Sequence, residues 1–368
     1  MGSEPNQLSD AAPVSFGGAG LVLRLLVIAV VIAVIAGLFL DAGGWIGSRK
    51  LTPARFVDGF EQVFGVHAGF RRNHAKGVDV SGYFESSGQG ADISKASVFL
   101  AGRLPVVGRF SLGGGKPYAA DAAQSVRGLG ILFQLPHGEE WRTAMVNLPV
   151  FPFRTPQAFY EQLLASAPDP ATGKPDPAKM KLFLEQHPES ASAIQLIRSQ
   201  KPASGFDDTT FNSLNSFRFV NSLGETASVR WSLIPVQSSN PAQAESVQQS
   251  DTNYLFDGLI AAIHKGPLQW RLILTVAGPG DPSDDATIPW PPDRRKIDAG
   301  ILTLDHIESD DTGLARDINF DPLVLPNGIS ASDDPLLSAR SAVYSQDFTR
   351  REGEHKEPSP ISAAETGK

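Results

Sequence analysis

Residues 21–40, LVLRLLVIAVVIAVIAGLFL, form an apolar run interrupted only by Arg24. As a helix the run rises about 30 Å, the thickness of a bilayer's hydrocarbon core. A buried core helix of that length is expected to carry some polar residues. The run therefore divides the chain into a disordered N-terminus (1–19), a transmembrane anchor (20–42) and a domain C-terminal to the anchor. Arg24 lies near one end of the run, where its guanidinium snorkels to the headgroups. The run exceeds a usual signal-peptide core, and LDAGGWIG after it is a weak cleavage pattern, so an uncleaved anchor is expected. Orientation signals conflict. Residues 1–20 hold no Lys or Arg, whereas Arg49, Lys50 and Arg55 come after the span, which by the positive-inside rule keeps the domain cytoplasmic. Arg24 read as a short n-region favours export, and an extracytoplasmic domain is the expectation adopted.

The remainder is long enough for one large domain or two ordinary ones. Net charge is −8 and the basic residues are dispersed, which excludes the clustered basic face that nucleic-acid binding requires. The chain has no cysteine. Disulfides, thiolate metal sites, cysteine nucleophiles and covalent CxxCH haem attachment are excluded together, and an oxidant substrate could attack sulfur only at the three methionines.

Along the domain, TPARFVDGFEQVFG reads as a helix starting at Pro53. Residues 78–150 alternate apolar and polar runs with glycine punctuation, as antiparallel strands do: SGYFES, SVFLAGRLPVVGRFSL, LGILFQLP and TAMVNLPVFPF. A helix starts at Pro156, and two more helical runs occupy about 177–200. Strands resume in SFRFVNSLGETASVRWSLIPV, with a hairpin turn at SLGE, in LQWRLILTVAG and in GILTLDHI. SDDPLLSARSAVYSQDFTRR is a strong helix, with Asp334 as cap, Pro335 in the first turn, and Arg350 and Arg351 suited to the C-terminal end of the dipole. The tail from 352 is polar and reads as disordered. The class is α+β, a central antiparallel sheet or barrel with helices inserted and appended.

Several motifs fail on inspection. GRFSLGGGKP misses the spacing of a phosphate-binding loop, and Pro117 stands where that loop needs a hydroxyl. RGLGILF lacks the third glycine of a dinucleotide fingerprint, the histidines form no HxxxH pair, and no GxSxG elbow occurs. Two features remain. His74, in FRRNHAKG, reads by itself as a histidine in a basic surface turn between Arg72 and Lys76. Arg340 and Tyr344 lie one turn apart on one helix face, and by themselves read as a cation–aromatic contact. A guanidinium beside a phenol also favours the phenolate, and a phenolate is a good axial ligand for ferric haem.

Taken in order, NHAKG, GYF, GRFS, AADAAQSVRGLGILF, NLPVFPFR, FRFVNSLGE and FDPLVLPNGISASDDPLLSARSAVY resemble the motif blocks of haem catalases. The resemblance spans about residues 56–351. The chain lacks the C-terminal extensions of a full catalase, and with its anchor it looks like the catalase-related peroxidases, the minimal version of that fold. The resemblance implies a catalase-type antiparallel β-barrel with inserted and C-terminal helices, over residues 50–351, holding haem b and its iron. It implies that His74 is the distal acid–base group that moves a proton between the two peroxide oxygens, and that Ser111 orients it. Tyr344 is implied as the iron ligand and Arg340 as the group that keeps it ionised. Arg71 and Arg109 match propionate partners, for which forked guanidiniums are suited. Phe151 and Phe159 match aromatics beside the haem and its approach channel.

One position departs from the family. Aligned through Trp141 and Pro149, the distal asparagine of catalases falls on Val146, with Asn147 beside it on a strand whose neighbouring residues point to opposite faces. A valine there makes the pocket more apolar and weakens the handling of hydrogen peroxide. The reading adopted is a haem peroxidase that reduces organic hydroperoxides with an external reductant and disproportionates hydrogen peroxide weakly or not at all. The alternatives are a true catalase, a fatty acid hydroperoxide lyase or synthase that needs no reductant, and a non-enzymatic haem-binding membrane protein.

Overall fold

The computed structural model describes residues 18–42, 51–123, 125–169, 171–201, 203–237 and 252–363. The N-terminal unit is described by one helix, α1 (Gly18–Ala42), whose segment Gly20–Asp41 is long and apolar enough to cross a membrane. Its Leu, Val and Ile side chains are largely exposed. Residues 1–17, expected to be disordered, lie outside the described residues.

The second unit is organised by strand closure. Going around the barrel, β1 (Gly77–Ser86), β2 (Gly102–Leu112), β3 (Arg127–Gln134), β4 (Glu140–Val146), β5 (Phe211–Asn212), β7 (Thr226–Pro235), β8 (Leu268–Val276) and β9 (Lys296–Ser309) pair antiparallel, and β9 returns to β1. This is an eight-stranded antiparallel barrel. The short strands β6 (Phe217–Val220) and β10 (Ile329–Ala331) continue from β7 on the edge that also carries β5. The sequence alternation explains the wall. In β4, Trp141, Thr143 and Met145 are buried while Arg142, Ala144 and Val146 on the other face are half-buried, the two-residue period of a strand with different sides.

The interior is aromatic. Trp141 stacks on Phe133 with ring centroids 4.7 Å apart and meets Trp231 edge-on at 5.1 Å, and Phe99, Phe217 and Phe219 pack around them. Such rings supply large buried areas and prefer offset or edge-to-face contact.

Helices α2 (Pro53–Phe64), α3 (Pro156–Ala165), α4 (Pro177–Gln186), α5 (Pro188–Ser199), α6 (Tyr254–Lys265) and α7 (Pro335–Glu352) complete the domain. The proline starts read from the sequence hold for α2, α3 and α7, and the Asp334 carboxylate caps α7 by accepting from the Leu336 N–H. Three local expectations are corrected. Ser97–Phe99 is a short 3-10 turn, because its run is too brief to pair before Gly102 opens β2. Residues 150–153 form a loop after β4, since Pro149 and Pro152 lack the N–H of a ladder. Helix α6 was not anticipated, although its apolar residues at helical spacing bury Leu255, Phe256, Leu259, Ile260 and Ile263.

Of the tail expected to be disordered, residues 352–363 are described and pack on the domain, while 364–368 lie outside the described residues. Glu354 forms an ion pair with buried Arg72 and accepts from the Gly69 N–H at 2.8 Å, and Ile361 is buried in the main core. Its polarity reflects ion pairing with the domain rather than disorder.

Trp141→Ala removes the central ring of this core. It is expected to lower stability by about 3–5 kcal/mol, read as a shifted midpoint in denaturant unfolding. A loss below about 1 kcal/mol would show that the stack is not central.

Candidate active site

Antiparallel register aligns two rows of side chains across the wall. Asp79, Arg109, Gly130 and Ala144 are cross-strand neighbours on β1–β4, and two residues along lie Gly77, Ser111, Gly128 and Val146. A pocket opens over the β2–β4 part of these rows, closed by residues of α2, α3 and α7. Its empty space, including the open mouth, is about 1370 Å³.

His74 precedes β1 in a left-handed conformation, φ +60°. Its Nδ1 lies 3.0 Å from Ser111 Oγ. Gly128 makes this approach feasible, because a Cβ there would stand 2.8 Å from Ser111 Oγ and 2.9 Å from His74 Nδ1. His74 is half-buried, with its open side on the pocket. Burial first, then the Arg109, Arg71 and Arg340 guanidiniums, push its pKa down to about 3, so the imidazole is neutral at physiological pH. The expected surface turn is therefore corrected. Arg72 is buried against Glu61 and Glu354, and Lys76 is buried on Asp121 at 2.5 Å.

Helix α7 brings Tyr344 to the same pocket. Arg340 Nη2 donates to Tyr344 Oη at 3.4 Å and to the Ala144 carbonyl at 2.9 Å, and Nη1 donates to Asn215 Oδ1 at 2.5 Å. Asn215 in turn donates to the cap residue Asp334 at 2.7 Å. The helix cap, the arginine and the tyrosine are thus one hydrogen-bonded chain, with the tyrosine at its pocket end. The spacing of Arg340 and Tyr344 also gives the ring contact, Arg340 Cζ lying 5.7 Å from the ring centroid.

Arg71, Arg109 and Arg351 also line the pocket. Arg71 Nη2 donates to the Ala315 and Ile318 carbonyls at 3.0 and 2.8 Å. Burial, then the charges of Arg109 and Arg351, hold its pKa well below the ordinary arginine value. Arg351 donates from Nη1 to the Arg316 carbonyl, while its buried Nε has no hydrogen-bond acceptor among the described residues. Arg109 is more committed, with a two-point ion pair to Asp310 and bonds to two main-chain carbonyls. Sequence reading missed Arg351, treating it as a charge at the helix end. It stands seven residues after Tyr344, two turns along the same stripe, and that spacing was the available signal. Its neighbour Arg350 pairs with Asp58 and Glu61.

Phe151 and Phe159 both line the pocket, edge to face at 5.5 Å, joined there by Phe56 and Phe60 of α2. Val146 lines it as well. Asn147 does not: its side chain accepts from the Arg127 N–H at 2.9 Å and donates to the Ser125 carbonyl at 3.1 Å. The pocket therefore holds every site residue read from the sequence.

A mutually repelling set of buried guanidiniums, one with an orphaned donor, fits a group bearing carboxylates. A tyrosine oxygen and a neutral imidazole at one pocket are residue types that could hold a metal-bearing cofactor and handle a proton beside it. An antiparallel barrel that carries such a pocket is a scaffold suited to holding a large anionic cofactor. Comparison with known proteins agrees. The catalase family model matches residues 67–367. The catalase-related peroxidase of Synechococcus elongatus is 38% identical over 82% of this chain and 89% of its own length. That of Mycolicibacterium paratuberculosis is 29% identical over 83% and 96%. A fungal catalase crystal structure superposes with a TM-score of 0.70 at 23% identity, covering 78% of this chain and 60% of the catalase. The chain belongs to the catalase family, whose members are haem-dependent oxidoreductases.

The depressed pKa of His74 has a consequence for stability. Between about 3 and the ordinary 6.5 the folded state binds fewer protons than the unfolded chain. The contribution is complete above pH 6.5 and is lost as pH falls toward 3, at most about 1.4 kcal/mol per pH unit. His74→Gln, neutral throughout, is expected to flatten this part of the acid limb in unfolding midpoints measured against pH. An unchanged limb would contradict the shift.

Proposed function

We propose that this chain is a membrane-anchored haem b peroxidase that reduces organic hydroperoxides with an external reductant. The observation that carries this reading is Val146 in the pocket with Asn147 turned away to the main chain of 125–127. An apolar side chain beside His74 and Ser111 offers no hydrogen bond to a second hydrogen peroxide molecule. The aromatic approach of Phe56, Phe60, Phe151 and Phe159 suits an apolar alkyl group. The names of the two catalase-related peroxidases support the same class.

When bound, haem supplies the redox centre at which the peroxide O–O bond is cleaved. Tyr344 would ligate the iron, with its oxygen held by Arg340. Arg71 and Arg351 would take the propionates, and Arg109 would add its charge. With Nδ1 engaged by Ser111, His74 Nε2 is the nitrogen left to accept the proton of the incoming peroxide and return it to the leaving oxygen as alcohol or water forms. Its low pKa keeps it ready to accept rather than already charged.

Helix α1 supports an anchor that keeps the enzyme at the bilayer, where lipid-derived hydroperoxides arise, with the domain on the extracytoplasmic side. Protease added to sealed vesicles of known orientation tests that side.

Two measurements test the chemistry. With a reductant present, kcat/KM for cumene hydroperoxide is expected to exceed that for hydrogen peroxide, and the product is the alcohol. Fast oxygen evolution without reductant would establish a catalase, and an aldehyde or allene oxide a lyase or synthase. Val146→Asn is expected to raise oxygen evolution from hydrogen peroxide at least several-fold, checked with an oxygen electrode. No increase would remove Val146 as the determinant.

A further inference from the structure

Two carboxyls behind the distal wall take no direct part in the peroxide chemistry. Asp79 faces Arg109 across β1 and β2, and Asp310 immediately follows β9. All three are buried. Asp310 grips Arg109 with both oxygens, Oδ1 to Nε at 2.9 Å and Oδ2 to Nη2 at 2.7 Å. The same guanidinium donates from Nη1 to the His74 carbonyl at 2.9 Å and from Nη2 to the Ala75 carbonyl at 3.0 Å. One planar fork is thereby fixed across the backbone where His74 takes its positive φ. That conformation is strained for a side-chain-bearing residue, and it persists only where the surroundings hold it. Gly77 leaves room for the fork, since a Cβ there would collide with Arg109 Cζ.

Asp79 supports Asp310 from behind. The two buried carboxyls lie close enough for the Asp310 charge to act on Asp79. Burial first, and then the Asp310 charge, push the Asp79 carboxyl up to about 8. Burial acts on Asp310 too, but the charge and hydrogen bonds of Arg109, with the Arg71 charge, together hold it below the ordinary carboxylate range. Asp79 Oδ2 also accepts from the Ala315 N–H at 2.5 Å and the Arg316 N–H at 3.3 Å. This is the turn whose Ala315 and Ile318 carbonyls hold Arg71. Gly313 gives the carboxyl its space, because a Cβ there would collide with Asp79 Oδ2.

We propose that Asp310, backed by Asp79, is a positioning residue for His74. It locks Arg109 across the His74 carbonyl, and so holds the imidazole against Ser111 at the angle that proton transfer requires. A guanidinium without this partner keeps its charge but loses the fixed plane that presents two donors to successive carbonyls. Placement errors of about 1 Å at a catalytic group are worth about a hundredfold in rate, so the link from carboxylate to imidazole controls the peroxide step.

The proposal rests on the haem-peroxidase reading, and the test separates the two. In full-length holoenzyme with cumene hydroperoxide, Asp310→Asn is expected to lower kcat/KM for the peroxide at least tenfold. Haem content and kcat/KM for the reductant should stay within about twofold. In a His74→Ala background, single-turnover measurement of the residual peroxide reaction should show no further loss on adding Asp310→Asn, because an effect transmitted through a side chain vanishes with it. Asp79→Asn, which is neutral and can still accept from the Ala315 N–H, should retain activity within about threefold. Losses that multiply in the double variant, a loss that follows haem content, or an unchanged peroxide rate would each overturn the proposal. If Asp310→Asn does not fold, Asp310→Glu, which keeps the charge but displaces the carboxylate from the Arg109 fork, is put through the same cycle with the same criteria. A fully active His74→Ala would instead overturn the haem-peroxidase reading itself.

Discussion

The antiparallel register of β1 to β4 is the constraint on which the site depends. It sets Ser111, Gly128 and Val146 in one row and Arg109, Gly130 and Ala144 in the next, so that hydroxyl, guanidinium and apolar wall meet one pocket. A slip of one residue in β4 would bring Asn147 to the pocket and turn Val146 away, because strand side chains alternate. The register is held by the barrel's interior. Trp141, Thr143 and Met145 occupy the alternate positions of the same strand and are buried. Core packing therefore decides which side chain meets the substrate.

The second constraint is electrostatic. His74 stays neutral because it is buried, and next because the pocket already contains guanidiniums, which are tolerated because carboxylates and carbonyls are distributed among them. Asp310 serves Arg109. Asp347 lies 3.8 Å from Arg351, and its Oδ1 accepts the Arg72 N–H at 3.0 Å. Arg71 hydrogen-bonds to main-chain carbonyls, the Asp310 and Asp347 charges offset only part of its burial cost, and a dianionic cofactor edge would relieve more of it. Removing one member of such a buried set leaves an unpaired charge, which is why each pairing has large leverage on the site.

Much of this was legible in the sequence. The proline-started helices, the capped Tyr344 helix and the alternating strands follow from local rules, and ordered motif blocks brought His74, Ser111, Arg340 and Tyr344 together before any coordinates. The hidden part was non-local. Arg72 pairs with the nearby Glu61 and the distant Glu354, and Lys76 with the distant Asp121, so a buried ionic cluster looked like a solvated turn, and the distant Asp310 partner of Arg109 was likewise out of sight. The same cause hid the order of residues 354–361, whose charges find partners only after folding. Helix α6 was missed for a different reason, since its apolar pattern was readable but its buried face matters only against the barrel.

The central claim is that Tyr344, held by Arg340, meets a haem iron in this pocket. The most direct measurement is the absorption and resonance Raman spectrum of the purified full-length protein beside Tyr344→Phe. The expected result is a high-spin ferric haem with tyrosinate bands that disappear in the variant. A protein that takes up no haem, or one whose haem spectrum is the same without the Tyr344 hydroxyl, would contradict it.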